Sequence, residues 1–326
     1  MADEQLMIDD ARPIDVLGIG YSAMDYLGIV PRYPDLDEKV ELMQFTRQGG
    51  GPCATAMVTV ARLGGRASYI GKMGNDDFGR FMLDQLRAEG VEVSQVVVEP
   101  GAQSQFSFIV VDADTGKRTI YWTRSEIPSL RPEEIRREHI ISTKVLHVDG
   151  HDFLAAAKAV EWANDAGIPV VFDGGTARSG SELMIDHADY AVVSRRFAAK
   201  FTGEEDPEAG ARALFGGRRK LSAVTLGDEG CVYVTADGTF CQPAFEVDVV
   251  DTTGAGDVFH GALSFGVSKG WPIDRTIEFA SAVAAVKCTA LGGRTGIPTL
   301  AEALEFLRER SGDGFWRDPA LTGQDS

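Results

Sequence analysis

The chain has 326 residues, 44% of them hydrophobic, 9% aromatic and 25% charged, proportions that exclude a wholly disordered chain and allow one large core or two modest ones. Its 49 acidic against 32 basic side chains give a formal net charge of −17, which repels nucleic acids and anionic membranes at long range and argues against both as partners. Cys53, Cys231, Cys241 and Cys288 are widely spaced, with no Cys-x-x-Cys pair and no histidines at zinc-ligand spacing, so free thiols in a reducing compartment are expected.

Residues 1–12 are acid-rich and hold no apolar run of signal-peptide length, and no later stretch reaches the roughly 18 apolar residues of a membrane span. A cytoplasmic protein with a flexible start is expected. IDVLGIG (14–20), short, apolar and β-branched, reads as a strand, and ELMQFTRQ (41–48) as an antiparallel one. CATAMVTVARLG (53–64) and DDFGRFMLDQLRAEG (76–90) read as helices. QFSFIVVDAD (105–114) and KRTIYWTR (117–124) form a hairpin turning at Asp114-Thr115-Gly116. Strands KVLHVD (144–149), PVVFD (169–173), YAVVS (190–194) and SAVTL (222–226) then mix with helices FLAAAKAVEWANDAG (153–167) and TIEFASAVAAVKCTALG (276–292), the latter apolar almost all round.

This alternation predicts a mostly parallel sheet covered on both faces, an α/β fold. The antiparallel pieces are too few to stand alone and are expected to form a small sheet over one edge, as a lid. Residues 13–310 form one domain in this reading, with lid strands from about 26–48 and 104–125, and the Gly- and Asp-rich tail 311–326 is a loosely held terminus. Exposed lid strands tend to pair, so a homodimer is the expected assembly.

FEVDVVDTTGAGDVFHGALSFGV (245–267) carries the chemistry. Its alternating apolar residues read as a strand ending at Asp251, followed by a glycine turn and a helix N-terminus. First-turn amides have no intrahelical acceptor and the helix dipole is positive there, so Gly254, Ala255 and Gly256 can surround a phosphate with donors. Asp257 beside that anion site reads as a general base, accepting the proton of a hydroxyl that displaces a γ-phosphoryl group. The plainer reading is a carboxylate that only caps the helix.

DTTGAGD followed by a small-residue helix resembles the C-terminal signature of PfkB-type carbohydrate kinases, the ribokinase-like family. GGGPCATAMVTVARLGGRASYIGKMGNDDFG (49–79) is similar to the family's other signature, with Gly71, Gly74, Asp76 and Gly79 in its second half. TLGDEGCVYV (225–234) resembles the nucleotide-side turn, and VKCTALGGRTGIP (286–298) the adenine-side loop. The resemblance spans residues 14 to 310 and implies a three-layer α/β/α core with a β-sheet lid, using ATP and Mg²⁺ to phosphorylate a sugar.

Carried over to this chain, it implies sugar contacts from Asp25, Gly50 and Gly51, and from Thr55, where the family often has asparagine. It sets Ser194, Thr225, Gly227, Gly230, Thr253, Ser281, Gly292 and Gly293 along the nucleotide. Asp251 and Thr253 match positions that neighbour a monovalent cation in relatives, making K⁺ a candidate cofactor. The family's Asn-x-x-Glu on the metal side is missing, since the segment here is Ser194-Arg195-Arg196-Phe197. Mg²⁺ keeps several waters when it rides on ATP phosphates, so the departure weakens the metal assignment more than the activity.

Within the family the nearest resemblance is to the branch containing sulfofructose kinase, which implies a ketose. Lys39 falls where a lid lysine meets the sulfonate there, but the expected amide and guanidinium fall at Trp122 and Asp149. A carboxylate in place of a cation repels an anionic substrate. The expected substrate is therefore a neutral ketose or polyol with Asp149 accepting its hydroxyl protons. A sulfofructose or sugar-phosphate kinase, a nucleoside kinase using Phe106, Phe108, Tyr121 and Trp122, and a non-catalytic metabolite-binding relative are the alternatives.

Two lookalikes are set aside. GIGYSA (18–23) has the spacing of a dinucleotide fingerprint but does not open a helix, and no Gly-x-x-x-x-Gly-Lys-Ser/Thr loop occurs. HVDGHD (147–152) gathers His147, Asp149, His151 and Asp152, which reads as a strand end lining a pocket before it reads as a metal site.

Overall fold

Val16, Val145, Val171 and Val192 face one side of a central sheet, and Leu17, Leu146, Phe172 and Val193 face the other. Neighbours along each strand are thus buried on opposite faces, as in parallel sheets sandwiched between helices. The coordinates are a computed structural model that describes residues 14–123, 125–312, 314–318 and 321. The expectations for residues 1–12 and for the last five residues lie outside these.

The eight strands are β1 (Ile14–Ile19), β4 (Ala67–Ile70), β9 (Thr143–Val148), β10 (Val170–Gly174), β11 (Tyr190–Ser194), β12 (Leu221–Thr225), β13 (Cys231–Thr235) and β14 (Gly238–Gln242). Their spatial order is β14-β13-β12-β11-β10-β9-β1-β4, parallel from β12 to β4 and antiparallel at β13 and β14. Helices α1 (Pro52–Arg62), α2 (Asp77–Ala88), α8 (Ala255–Ser268), α9 (Ile273–Lys287) and α10 (Leu300–Arg310) cover the Val16 face. Helices α3 (Arg137–Ile141), α4 (Phe153–Asp165), α5 (Ser181–His187), α6 (Arg195–Thr202) and α7 (Pro207–Leu214) cover the other. The three-layer α/β/α core follows the sequence expectation.

β2 (Ala23–Val30) leaves β1 through a short bend and, with β3 (Gln44–Gly50), β7 (Phe106–Asp112) and β8 (Arg118–Trp122), forms a smaller sheet in the order β3-β2-β7-β8. A short parallel pair, β5 (Lys72–Gly74) and β6 (Val97–Glu99), completes the strands. The β7–β8 turn is held by Asp112, whose carboxylate accepts from Thr115 N at 3.0 Å and Thr115 Oγ1 at 2.8 Å. Leu27, Ile109 and Val111 pack with Leu291, joining the small sheet to the loop after α9. β8 is exposed along its whole length.

Three sequence expectations need correction. Residues 243–250 are not a strand: their apolar alternation has no ladder partner, and Val249 and Val250 are exposed. The helix expected over 276–292 ends at Lys287, because the next amides turn back three residues instead of four, Cys288 N to Ala285 O and Thr289 N to Val286 O, before Gly292 takes φ 104°. The tail is anchored where it is described. Trp316 is fully buried against Trp271 and Phe279, its Nε1 donates to Glu278 at 2.8 Å, and its carbonyl accepts from Arg308 Nε at 2.8 Å.

GIGYSA runs from β1 into β2 and opens no helix. The four cysteines are unpaired. Among the described residues no helix is long and apolar enough to cross a membrane.

Candidate active site

The parallel strands β9 to β12 deliver Asp149, Asp173, Ser194 and Thr225 to one edge of the sheet. Chain order reverses beside β1, between β9 and β4, the crevice where open α/β sheets bind ligands. α8 packs across β1, β9 and β10 and sets its first turn in this region.

Gly254 caps α8 at φ 75°, a left-handed conformation open to glycine at little cost. A side chain there would also stand 2.9 Å from the Gly293 carbonyl, so the turn and the loop after α9 are in close contact. The Ala255 amide turns back to Thr252 O at 3.2 Å, which removes it from the expected anion hole. Gly254 and Gly256, the other two amides of the expected anion hole, belong to the same first turn, and Gly256 is exposed to open space.

Asp257 sits in that turn, half-buried, with its carboxyl raised to about 7, first by burial and then by the charge of Asp173. Asp173 is itself buried and raised for the same first reason. Its Oδ1 accepts from Gly175 N at 3.0 Å, and its Oδ2 has no hydrogen-bond partner. His260, one turn along α8, lies 3.4 Å from that Oδ2 and sets its two ring nitrogens against carbonyls, Nδ1 to Gly256 O at 2.6 Å and Nε2 to Val192 O at 3.0 Å. It fixes the first turn of α8 against β11.

On the substrate side, Asp25 of β2 lies directly over Gly50, where any side chain would run into its carboxylate. Burial raises Asp25 to about 7, while Arg294 and a hydrogen bond from Ser107 pull it down. Gly51 caps α1, which carries Thr55. Arg294, fully buried, donates from Nε to Thr55 Oγ1 at 3.2 Å and from Nη2 to Gly50 O at 3.1 Å; its Nη1 is buried with no partner. Burial pulls its guanidinium down to about 10, with Asp25 acting the other way. Asp25, Gly50, Gly51 and Thr55 are thus brought together as expected, around an arginine that sequence reasoning missed.

Asp149 is not a spare acceptor for substrate hydroxyls. Its Oδ2 takes the amides of Tyr21 at 2.8 Å and Cys53 at 3.2 Å, and its Oδ1 takes that of His151 at 2.9 Å. Burial acts to raise Asp149, but His151 and these amides outweigh it and hold the carboxyl at about 2. The residue ties β1 and the start of α1 to the end of β9. His147 is buried beside Ser264, 3.1 Å from its hydroxyl, and burial pushes the ring down to about 3. No group of three potential metal ligands forms here or elsewhere among the described residues. Lys39 and Trp122 belong to the small sheet and its connections, and Trp122 stands in register with Ser107, the hydrogen-bond partner of Asp25. Lys39 is exposed on the connection between β2 and β3, and Trp122 is 57% exposed at the end of β8.

Of the residues expected along the nucleotide, Gly227 and Gly230 flank the turn after β12, Gly292 and Gly293 line the loop after α9, and Ser281 is buried in α9. Thr225 closes β12, its hydroxyl 3.4 Å from Val193 O. Ser194 is a helix cap, accepting from Phe197 N and donating to Gly175 O, each at 3.0 Å. Arg195, the first residue of α6, pairs with Glu229 of the turn after β12 at 2.6 Å. Thr253 is buried, with a hydroxyl that has no partner.

Asp251 is fully engaged. Its Oδ1 accepts from Thr253 N and its Oδ2 from Gly292 N, both at 2.8 Å, and its main-chain oxygen accepts from Lys287 Nζ at 2.8 Å. Lys287 is fully buried, and burial pulls its ammonium below the usual lysine range while Asp251 pulls it back up. Arg118 of β8 bonds Thr252 Oγ1 at 2.8 Å, linking the small sheet to the same turn. Sequence patterns missed Asp173, His260, Lys287, Arg118 and Arg294, since each acts through a partner far along the chain. The one available signal was a set of charged residues inside otherwise apolar or glycine-rich segments.

Residues 14–300 match the model of the pfkB family carbohydrate kinases. Fructokinase-1 of Zea mays is 32% identical over 295 residues, covering 82% of this chain and 91% of its own. Fructokinase-1 of Oryza sativa subsp. japonica is 31% identical over 292 residues, covering 82% and 90%. The ribokinase structure from Thermotoga maritima superposes with a TM-score of 0.78 at 26% identity, covering 91% of this chain and 99% of its own. These likenesses reach the family and not the narrower branch of sulfofructose kinase. With a ribokinase-like core and a family match across residues 14–300, the chain belongs to the pfkB family and is an ATP-dependent carbohydrate kinase.

Proposed function

We propose that the chain transfers the γ-phosphoryl group of ATP to a hydroxyl of a neutral ketohexose such as fructose, with Asp257 as general base. The observation that carries this reading is Asp257 itself: a carboxylate raised to about 7 in the first turn of α8, behind the Gly254 cap and on the same crevice as the Asp25–Gly50–Arg294 cluster. A base with that affinity for a proton is half ionised near neutrality and can accept the hydroxyl's proton as the phosphoryl group transfers. The amides of Gly254, Gly256 and Asp257 would face the charge that develops on the phosphoryl oxygens. Asp25, with Arg294 beside it, would orient the sugar, and positioning supplies much of the rate.

ATP would lie across the turns at 227–230, 253–256 and 292–293, with Mg²⁺ carried chiefly by phosphates and water. The fructokinase relatives support a ketose. The small sheet, β3-β2-β7-β8, is proposed as the lid, and its exposed strand β8 as the edge through which two copies pair in the cytoplasm. Phe106 packs with Tyr26 and Phe78, which leaves it poorly placed to grip a nucleobase.

The test is ADP release with ATP and Mg²⁺ across fructose, other ketoses, aldoses, polyols, nucleosides, sulfofructose and fructose phosphates, with the product identified by phosphorus NMR. Fructose or a close ketose as best substrate supports the reading. A sugar phosphate or sulfofructose as best substrate overturns the neutral assignment, and a nucleoside overturns the substrate class.

A further inference from the structure

We infer that the ammonium group of Lys287 is a resident cation that takes the place of a bound monovalent ion at the 251–254 turn, so that this chain works without K⁺. The inference rests on the kinase reading above, and it corrects the expectation that Asp251 and Thr253 adjoin a K⁺ site.

The residues present do not fit a bound ion. A monovalent cation needs several oxygen ligands at once, and every oxygen of Asp251 already carries a donor. Both its carboxylate oxygens accept backbone amides, and its main-chain oxygen accepts from Lys287 Nζ. Of the two side chains expected to adjoin the ion, only Thr253 has an oxygen without a partner, and one neutral hydroxyl does not hold such an ion. A second positive charge would also meet the Lys287 ammonium at the same carbonyl, in a site closed to water, where like charges repel strongly.

The ammonium itself suits the task. An alkylammonium and K⁺ carry the same charge, are close in size and are both bound by carbonyl oxygens. Lysine is almost never fully buried without a partner, yet Lys287 has no exposed surface and donates to a neutral main-chain oxygen. It ends α9 just before the loop that backs the phosphate turn. Cys288 O accepts from Val250 N at 2.9 Å and Asp251 N at 3.1 Å, and Gly293 stands against Gly254. A fixed charge at this junction holds the two loops in register and sets positive potential beneath the first turn of α8. Lys287 is thus a positioning residue, acting through Asp251 and the turn.

The test uses the purified full chain in tetramethylammonium, K⁺ and NH₄⁺ salts at equal ionic strength, measuring sugar-dependent ADP release and the melting temperature with ATP and Mg²⁺. Wild type is expected to show the same rate and the same melting temperature in all three salts. Lys287→Ala is expected to lose about tenfold or more in kcat/KM in tetramethylammonium and to recover much of it in K⁺ or NH₄⁺. Lys287→Met, which fills the space without a charge, is expected to stay low in every salt. Activation of wild type by K⁺, or a melting temperature that K⁺ raises, overturns the inference, as does a Lys287→Ala enzyme that neither loses activity nor responds to either cation. If Lys287→Ala does not fold, the wild-type salt series decides. The melting series needs no sugar turnover, so a wrong substrate assignment and a wrong cation assignment give different results.

Discussion

Arg294 reaches across the crevice to Thr55, donating from Nε to its hydroxyl at 3.2 Å, and so joins the loop after α9 to the helix behind the proposed sugar site. The same side chain holds Gly50 O, and its backbone amide is held by Gln48 Oε1 at 3.2 Å. Replacing it by methionine leaves the Thr55 hydroxyl and the Gly50 carbonyl without this donor, a class of change that costs about 1–3 kcal/mol per buried group. Arg294→Met is expected to lower stability in urea unfolding by an amount of that order. It is also expected to raise the KM for sugar at least tenfold, with a smaller change in the KM for ATP. Equal changes in both would mark a purely structural role.

Asp257 gives a pH signature. Because the ionised carboxylate is the active base and burial raises it to about 7, kcat/KM for the sugar is expected to rise with pH through about 7. Below that it should fall about tenfold per pH unit. A flat profile from mildly acid to mildly alkaline pH removes the base from this position.

The same shift makes a stability prediction with a definite sign. Unfolded, the carboxyl titrates near 3.8; folded, at about 7. The folded chain therefore holds the proton more tightly, and the contribution is fully present below the unfolded value and lost as pH rises through the folded one. Asp257→Asn removes that loss. The variant is expected to melt above wild type at about pH 8, with the gap narrowing toward about pH 4. Identical melting curves at both ends would show that burial does not disfavour the charged form.

Gly254→Ala places a methyl group at φ 75°, 2.9 Å from the Gly293 carbonyl. The left-handed backbone alone costs a non-glycine residue about 1–2 kcal/mol, and the contact adds to it. ATP affinity measured by calorimetry is expected to fall at least tenfold, because the turn and the loop after α9 have to separate. Trp316→Ala tests the anchored tail in a region remote from the chemistry. It should cost about 3–5 kcal/mol in urea unfolding and leave the KM values unchanged.

The layered core was legible in the sequence because Leu17, Val145 and Phe172 stand in short β-branched runs between amphipathic helices, a pattern set by local chain geometry. DTTGAGD was legible as a turn at a helix start, since Gly254 needs a left-handed backbone there. Residues 243–250 misled because alternation also arises in an extended segment with no ladder partner. Asp149 misled for a related reason: a carboxylate at a strand end looks the same in sequence whether it faces a substrate or accepts three backbone amides. Arg294 and Lys287 were illegible because their partners, Thr55 and Asp251, lie 239 and 36 positions away in the chain, and spacing carries no information at such range.

The most direct measurement is turnover of Asp257→Asn with ATP, Mg²⁺ and saturating ketose, made alongside ATP binding by calorimetry. A loss in kcat of at least a hundredfold is expected, in line with the usual worth of a general base, with ATP affinity close to wild type. Turnover within a few fold of wild type would contradict it and leave Asp257 as no more than a charge at the start of α8.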